Sequence, residues 1–515
     1  KSYIEWGEKC VLKFNGMWAF AIWDSLKKEL FLSRDRYGKK PLFYSKQEGK
    51  FVFASEMKAI YPYLNKVEIS EDFHWMKKNI FYYESTDKCL IKGIKRFPAG
   101  HNGLYKNGEL TQVRYWNTLD HLVEVPKTYN EQVEHFRSLF LDSCKIRMRA
   151  DVPIGTALSG GLDSSATIAA MAHLSSNNNS YSDDWQHAFV AAFPGTPLDE
   201  SKYAKMVTDH LGMKSTFIDI KPLEYWDKIE DYFYLFEDLY ITSPIPMISL
   251  YGEVKRNGVT VTLDGHGADE LISGYNEGIL ESFWDAKFSP KNIKDLLEVY
   301  KGTLNESDQF DKKSSSKLLY EFMSKKIAKK ILNKDFKSKD GNHKNYKKLD
   351  NLTKYLYIMF HETILPTLLR NYDRYAMINS VEIRMPFMDH RIVSYVNSLP
   401  YSSKSGNGYT KKLIRDAVDP FLPKEVTWRK SKIGFSSPIV DWMQNDLSEW
   451  FADTTHSKGF LESELIDNPL ELQDKIMRIV NKENRSFAVA QSSWRELSPY
   501  IWEKAILNKN YNFKT

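Results

Sequence analysis

Between residue 11 and about residue 56 the chain alternates short apolar, aromatic-rich runs with turn residues. Residues 17–23, 29–33, 41–44 and 50–54 carry Phe, Trp, Ile, Leu and Val, and Asp24-Ser25, Tyr37-Gly38 and Glu48-Gly49 punctuate them. Such runs between Gly, Asp and Ser predict antiparallel strands joined by tight turns. Residues 56–60 are expected to begin a helix. Pro98-Ala99-Gly100-His101 and Lys106-Asn107-Gly108-Glu109 mark a further hairpin, ending near Tyr115-Trp116.

From about residue 127 the pattern changes. Apolar runs at 156–158, 188–193, 215–218 and 259–263 alternate with longer stretches such as 199–211. That is the signature of strands linked by helices in a parallel sheet. Residues 352–378 look helical. Residues 285–350 are rich in Lys, Ser and Asn, and 333–348 read as a solvated, mobile insertion. Its charges are mixed and lack aromatic spacing, which favours a soluble face over an RNA contact. The chain therefore divides into 1–118 and 127–515, an α/β protein whose second part ends in helices.

Its 515 residues leave room for at least two cores, and 42% hydrophobic with 27% charged residues is a soluble globular composition. A net charge of +5 is small for this length and makes no case for nucleic acid or membrane. No apolar run approaches spanning length. Cys10, Cys89 and Cys144 lie far apart without a Cys-x-x-Cys pair. This suits a reducing compartment, so a cytoplasmic location is expected, without a disulfide scaffold or structural zinc. The sequence leaves a homodimer open.

The chemistry concentrates at Ser159-Gly160-Gly161-Leu162-Asp163-Ser164-Ser165, between the apolar run ending at Leu158 and a helical stretch. Glycines let consecutive N–H groups face one ligand, and the helix N-terminus adds positive potential. Ser164 and Ser165 can donate to phosphate oxygens, and Asp163 can hold Mg2+ that offsets their charge. An ordinary strand-to-helix turn explains the glycines but not an Asp facing an anion. No Gly-x-x-x-x-Gly-Lys-Ser/Thr occurs, so the loop is not of Walker type.

This loop resembles the pyrophosphate loop of ATP pyrophosphatases, which cleave ATP between the α and β phosphates. Residues 14–24, 33–42 and 53–59 look like the end of a class II glutaminase domain. Asp264-Gly265-His266-Gly267-Ala268-Asp269-Glu270, Glu382-Ile383-Arg384-Met385-Pro386-Phe387 and Arg429-Lys430-Ser431-Lys432-Ile433-Gly434-Phe435 follow in order. Together these motifs resemble the glutamine-dependent asparagine synthetase family across essentially the whole chain. The resemblance implies a remnant of an αββα NTN-type glutaminase sandwich, then an ATP-pyrophosphatase domain of the adenine nucleotide α hydrolase-like kind. It implies ATP and Mg2+ as cofactors, and aspartate and glutamine-derived ammonia as small-molecule substrates. The family's N-terminal Cys nucleophile has no counterpart here, because Cys10 lies inside a chain segment and reads as a buried thiol. Either the residues belong to a longer protein or the chain uses free ammonia.

By this resemblance, Ser159, Gly160, Gly161, Asp163, Ser164 and Ser165 hold the pyrophosphate. Leu158 and the strand end near Val190 meet adenine, and Gly265 lies under the ribose and α-phosphate. Lys432 and Lys411 match family lysines that stabilise phosphate charge, with a surface Lys as the plain alternative. Lys411 precedes Arg415 by four residues on an expected helix. Family members usually carry Ser-Gly-Glu-Gly where this chain has Asp264-Gly265-His266-Gly267, and related β-lactam-forming synthetases carry Tyr at the third position. His266 is therefore a general base, a cation holding a carboxylate, or a ring packed in a glycine turn. Glu382 is expected to act with His266 in proton transfer. Asp264 is a substrate-side group or a loop brace. Three functions stand open: an asparagine-forming ligase, an amidotransferase or ring-closing synthetase on another carboxylate, and a catalytically silent nucleotide-binding scaffold.

Overall fold

The N-terminal apolar runs pair as seven strands: β1 (Ala19–Asp24), β2 (Glu29–Arg34), β3 (Phe43–Gln47), β4 (Lys50–Ala54), β5 (Lys95–Arg96), β6 (His101–Lys106) and β7 (Glu109–Arg114). In the computed structural model, which describes residues 1–176, 186–287, 289–303, 324, 336–430, 434 and 436–509, they form two antiparallel sheets. One has the order β1-β2-β6-β7 and the other β4-β3-β5. Glu48-Gly49 and Asn107-Gly108 turn the hairpins with positive φ at both residues, which matches the right-handed twist of the strands. The helix expected at 56–60 is only a 3-10 turn, Met57–Ala59. The N–H groups of Met57 and Lys58 donate to the Glu237 carboxylate, and Pro62 follows, so no helical ladder builds.

The second part carries β8 (Ile154–Ala157), β9 (Gln186–Ala192), β10 (Lys214–Asp219), β11 (Val261–Leu263) and β12 (Glu382–Arg384). All are parallel, in the order β10-β9-β8-β11-β12. Helices Leu162–Ser176, Ser201–Leu211 and Ile245–Arg256 link them. β8 and β9 are buried almost throughout, as expected of strands covered on both faces. The chain is thus a mixed α/β protein with a parallel sheet and helices.

Residues 352–378 are helical as expected, in two helices, Asn351–His361 and Ile364–Met377. Pro366 has no N–H to extend the first ladder, and the Glu362 carboxylate accepts from Ser338 Oγ and Lys339 N. The described part of the supposed mobile insertion, from residue 336, is anchored. Asp340 receives both Arg114 Nη1 (2.7 Å) and Nη2 (3.1 Å), and also the Tyr357 hydroxyl (2.6 Å). Residues 333–335 lie outside the described residues.

Helix Ile364–Met377 joins the two halves. Arg370 pairs with Glu84 (3.3 Å) and Asp238 (3.0 Å), and Arg374 with Glu56 (3.2 Å) and Glu237 (3.0 Å). Further on, Asp389 accepts from Asn15 Nδ2 (2.8 Å) and Arg147 Nη1 (3.1 Å). The same helix carries Leu365, Leu368 and Tyr372 toward the ends of the parallel strands, where the candidate site lies.

Candidate active site

At the C-terminal ends of β8 and β11 a cavity of about 540 Å3 opens between the sheet and the helices. Parallel sheets place ligands at this edge. Leu158 ends β8, its N–H donating to Phe189 O (2.8 Å), and the loop turns at Gly160, where φ is +78°. A Cβ at Gly160 would sit 2.6 Å from Ala204 N, so this glycine lets the loop lie on the start of helix Ser201–Leu211. Inside the loop, Ser159 N donates to Ser164 Oγ (3.2 Å) and Gly161 N to Ser159 Oγ (3.2 Å). Helix Leu162–Ser176 then begins with its N-terminal residues on the cavity wall.

Of the expected nucleotide residues, Leu158, Ser159, Gly161, Asp163, Ser164 and Gly265 line this cavity. Gly160, Ser165 and Val190 do not. Ser165 and Val190 are buried in the core behind the loop, and the neighbouring Ala191 lines the cavity instead. Gly265 also lies directly under the helix start, because a Cβ there would be 2.5 Å from Asp163 C and 2.7 Å from Ser164 N.

Lys411 lines the cavity, though in a different setting from the one expected. It is not within a helix but caps helix Lys412–Val418 with φ +52°. Its Nζ lies 2.5 Å from Asp163 Oδ2 and 2.5 Å from Asp269 Oδ1, and the side chain is 5% exposed. Burial alone would lower its pKa, but the two carboxylates outweigh burial and hold it above the usual lysine range. Only the fold brings Asp269 to Asp163, so its motif in the sequence assigns it no role. Arg415, Arg429 and Lys430 add positive charge to the same walls. Arg429 pairs with Glu200, and Arg415 donates to the carbonyls of Thr410 and Thr427. Burial lowers the Arg415 pKa to about 10.

Asp264 is a brace. It is 1% exposed and accepts from Ala157 N (2.9 Å), Tyr251 OH (2.8 Å) and Thr262 Oγ1 (3.1 Å), tying the end of β8 to the end of β11. Burial raises its pKa to about 6 against these donors. His266 lines the cavity with its ring stacked on Tyr372, centroids 3.8 Å apart. Burial lowers its pKa to about 4, with Asp269 opposing, so the imidazole is neutral at pH 7.

The expected partnership of Glu382 with His266 is corrected. Glu382 opens β12, at the end of the strand away from the cavity, and pairs with Arg384 Nε (2.7 Å). It is not among the lining residues. Lys432 lies outside the described residues.

Residues 135–500 match the family described as asparagine synthase, and residues 1–116 match the glutamine amidotransferase domain. Asparagine synthetase [glutamine-hydrolyzing] 3 of Bacillus subtilis is 29% identical over 510 residues, covering 95% of this chain and 77% of that protein. Asparagine synthetase [glutamine-hydrolyzing] 1 of the same organism is 26% identical over 535 residues, covering 99% and 80%. Amidase chry2 of Gibberella zeae is 25% identical over 493 residues, covering 85% and 72%.

Proposed function

The chain belongs to the asparagine synthase family, an ATP-dependent amidotransferase ligase family, and from that premise we propose that it activates a carboxylate as an acyl-adenylate and converts it to an amide. The observation that carries this reading is the pyrophosphate-type loop at the helix start, with Lys411 and Asp163 on the same wall. A carboxylate oxygen bonds the α-phosphorus of ATP while the Pα–O–Pβ bond breaks and pyrophosphate leaves. Ammonia nitrogen then bonds the acyl carbon, the bond to the AMP oxygen breaks, and one proton is lost.

Loop N–H groups and the helix N-terminus bind the leaving pyrophosphate, and Lys411, Arg415 and Lys432 neutralise its developing charge. Neutral His266 is placed to take the proton from the attacking amine. The residues fit Mg2+: Asp163 and Asp269 offer hard carboxylate oxygens converging on one cation, the donor chemistry that ion takes with phosphates. When bound, it would supply charge neutralisation to the phosphates.

We assign residues 1–118 to an NTN-type glutaminase part and 127–515 to the synthetase part, with glutamine as the ammonia source. Aspartate is the first acid to test, as the resemblance and the names of the Bacillus relatives suggest. His266, in place of the family's usual Glu, favours a second reading with the same activation and a different acid.

The test is pyrophosphate release from ATP with ammonium and aspartate. Release with asparagine formed supports the first reading. Asp163→Asn is expected to reduce release at least a hundredfold; undiminished release in that variant would discard the loop assignment.

A further inference from the structure

A second cavity, of about 480 Å3, lies against the first, and Met247, Tyr275, Glu277, Leu368 and Tyr372 line both. Its size is that of pockets holding drug-sized ligands, roughly 300–1,000 Å3, and more than a short amino acid needs. The first cavity already has to hold ATP. The shared Tyr372 carries the stacked His266, so a carboxylate reacting beside that imidazole would project its body into the second chamber.

The lining chemistry selects the body. Phe81, Ile241, Pro246, Tyr355, Met359 and Ile364 give the chamber its apolar walls, interrupted by neutral polar groups such as Asn371, Ser437 and Gln491. Among the described residues no Lys, Arg or His lines it, and its charged lining residue is Glu277. A second carboxylate there would lose its hydration without a counter-ion and would meet a like charge. The cations Lys411, Arg415, Arg429 and Lys430 line the first cavity, and none of them lines the second chamber.

We propose that the acid activated here is a monocarboxylate with an apolar, aromatic-sized body that fills the second cavity, rather than a short dicarboxylic amino acid. This rests on the ligase reading above and specifies its substrate class. The two covalent steps are unchanged: pyrophosphate leaves as the acyl-adenylate forms, then AMP leaves as the carbon–nitrogen bond forms.

The test measures pyrophosphate release by the full chain with ATP, Mg2+ and ammonium chloride. Free ammonia removes any dependence on glutamine or on a route for ammonia between the halves. The acids compared are 3-phenylpropionate, octanoate and aspartate. At least one apolar acid is expected to exceed aspartate tenfold or more in kcat/KM. Ile364→Trp fills the second cavity at a residue that does not line the first. It should raise KM for that acid at least tenfold and leave KM for ATP unchanged. Met359→Trp repeats the test if the first variant does not fold. A parallel binding measurement asks whether 3-phenylpropionate raises Tm in the presence of a non-hydrolysable ATP analogue, and whether Ile364→Trp removes that shift. Preference for aspartate, or indifference of the apolar acid to both Trp variants, overturns the inference and leaves the ligase reading intact. Silence with every acid overturns both.

Discussion

The Nζ of Lys411 lies 2.5 Å from the Oδ2 of Asp163, which precedes it by 248 residues. Asp163 lies in the first turn of helix Leu162–Ser176, and Lys411 caps another helix in a left-handed conformation. Asp269, in the short helix Ala268–Leu271 after β11, completes the arrangement. The site is therefore held together by one buried ammonium shared between two carboxylates, and its electrostatic balance depends on all three.

Lys411→Met leaves the two carboxylates facing each other without a counter-charge. Breaking a buried pair from one side costs about 3–5 kcal/mol, read as a lower urea midpoint. Mg2+ should then raise Tm more in the variant than in the parent, because the freed oxygens suit that cation. An unchanged midpoint would show that the ammonium does not balance the pair.

Gly265→Ala is expected to disrupt the site by shape alone. The added methyl would lie 2.5 Å from Asp163 C and 2.8 Å from Asp163 O, both backbone atoms that cannot swing aside. Loss of at least tenfold in ATP affinity should result, with a stability cost of about 1–3 kcal/mol from overpacking. Gly16→Ala, where a Cβ meets nothing within 4 Å, is the control and should match the parent. Equal behaviour of the two variants would show that Gly265 does not support the loop.

Asp264 and His266 pull stability in opposite directions with pH. Asp264 titrates near 6 in the fold against 3.8, so its neutral form is favoured. Its contribution is complete below about pH 4 and is lost as pH rises through 6. His266 titrates near 4 against 6.5, so its contribution is complete above about pH 6.5 and is lost as pH falls through 4. Each shift corresponds to about 3 kcal/mol. Relative to the parent, Asp264→Asn should gain stability as pH rises from 5 to 7, and His266→Gln should lose it. Urea midpoints at the two pH values check both signs; parallel curves for all three proteins would refute the assignment.

Much of this architecture was legible because it follows from local pattern. The runs at 156–158 and 188–193 coincide closely with β8 and β9, since buried parallel strands read as continuous apolar stretches, and 215–218 falls within the half-buried edge strand β10. Cys10 proved to be a buried thiol, 1% exposed. β12 was not legible: it has three residues, two of them charged, and its Glu382 looked like chemistry rather than an edge strand. Asp269 gained its role only from long-range packing. The break at Glu362-Thr363 was hidden because the apolar period runs through it, while the Ser338 and Lys339 contacts that end the first helix come from a distant segment.

The junction between the two halves gives a last test. Glu237 is fully buried, in a left-handed conformation, and accepts from Met57 N (3.0 Å), Lys58 N and Arg374 Nη2 (3.0 Å). Burial pushes its pKa up, while Arg374 and Lys58 oppose that shift. Arg374→Met removes the charge that crosses from the synthetase helix while keeping much of the packing volume. The remaining donors then leave a buried carboxylate under-compensated, at an expected cost of about 3–5 kcal/mol. Arg374 also pairs with Glu56 (3.2 Å), and that contact crosses the halves, so amide exchange should rise first around residues 55–61 and 235–240, before the parallel sheet opens. Glu237→Gln added to Arg374→Met removes the stranded charge and should recover part of the loss. If exchange rises uniformly instead, or the double variant is no more stable than the single one, the ion pair does not hold the junction.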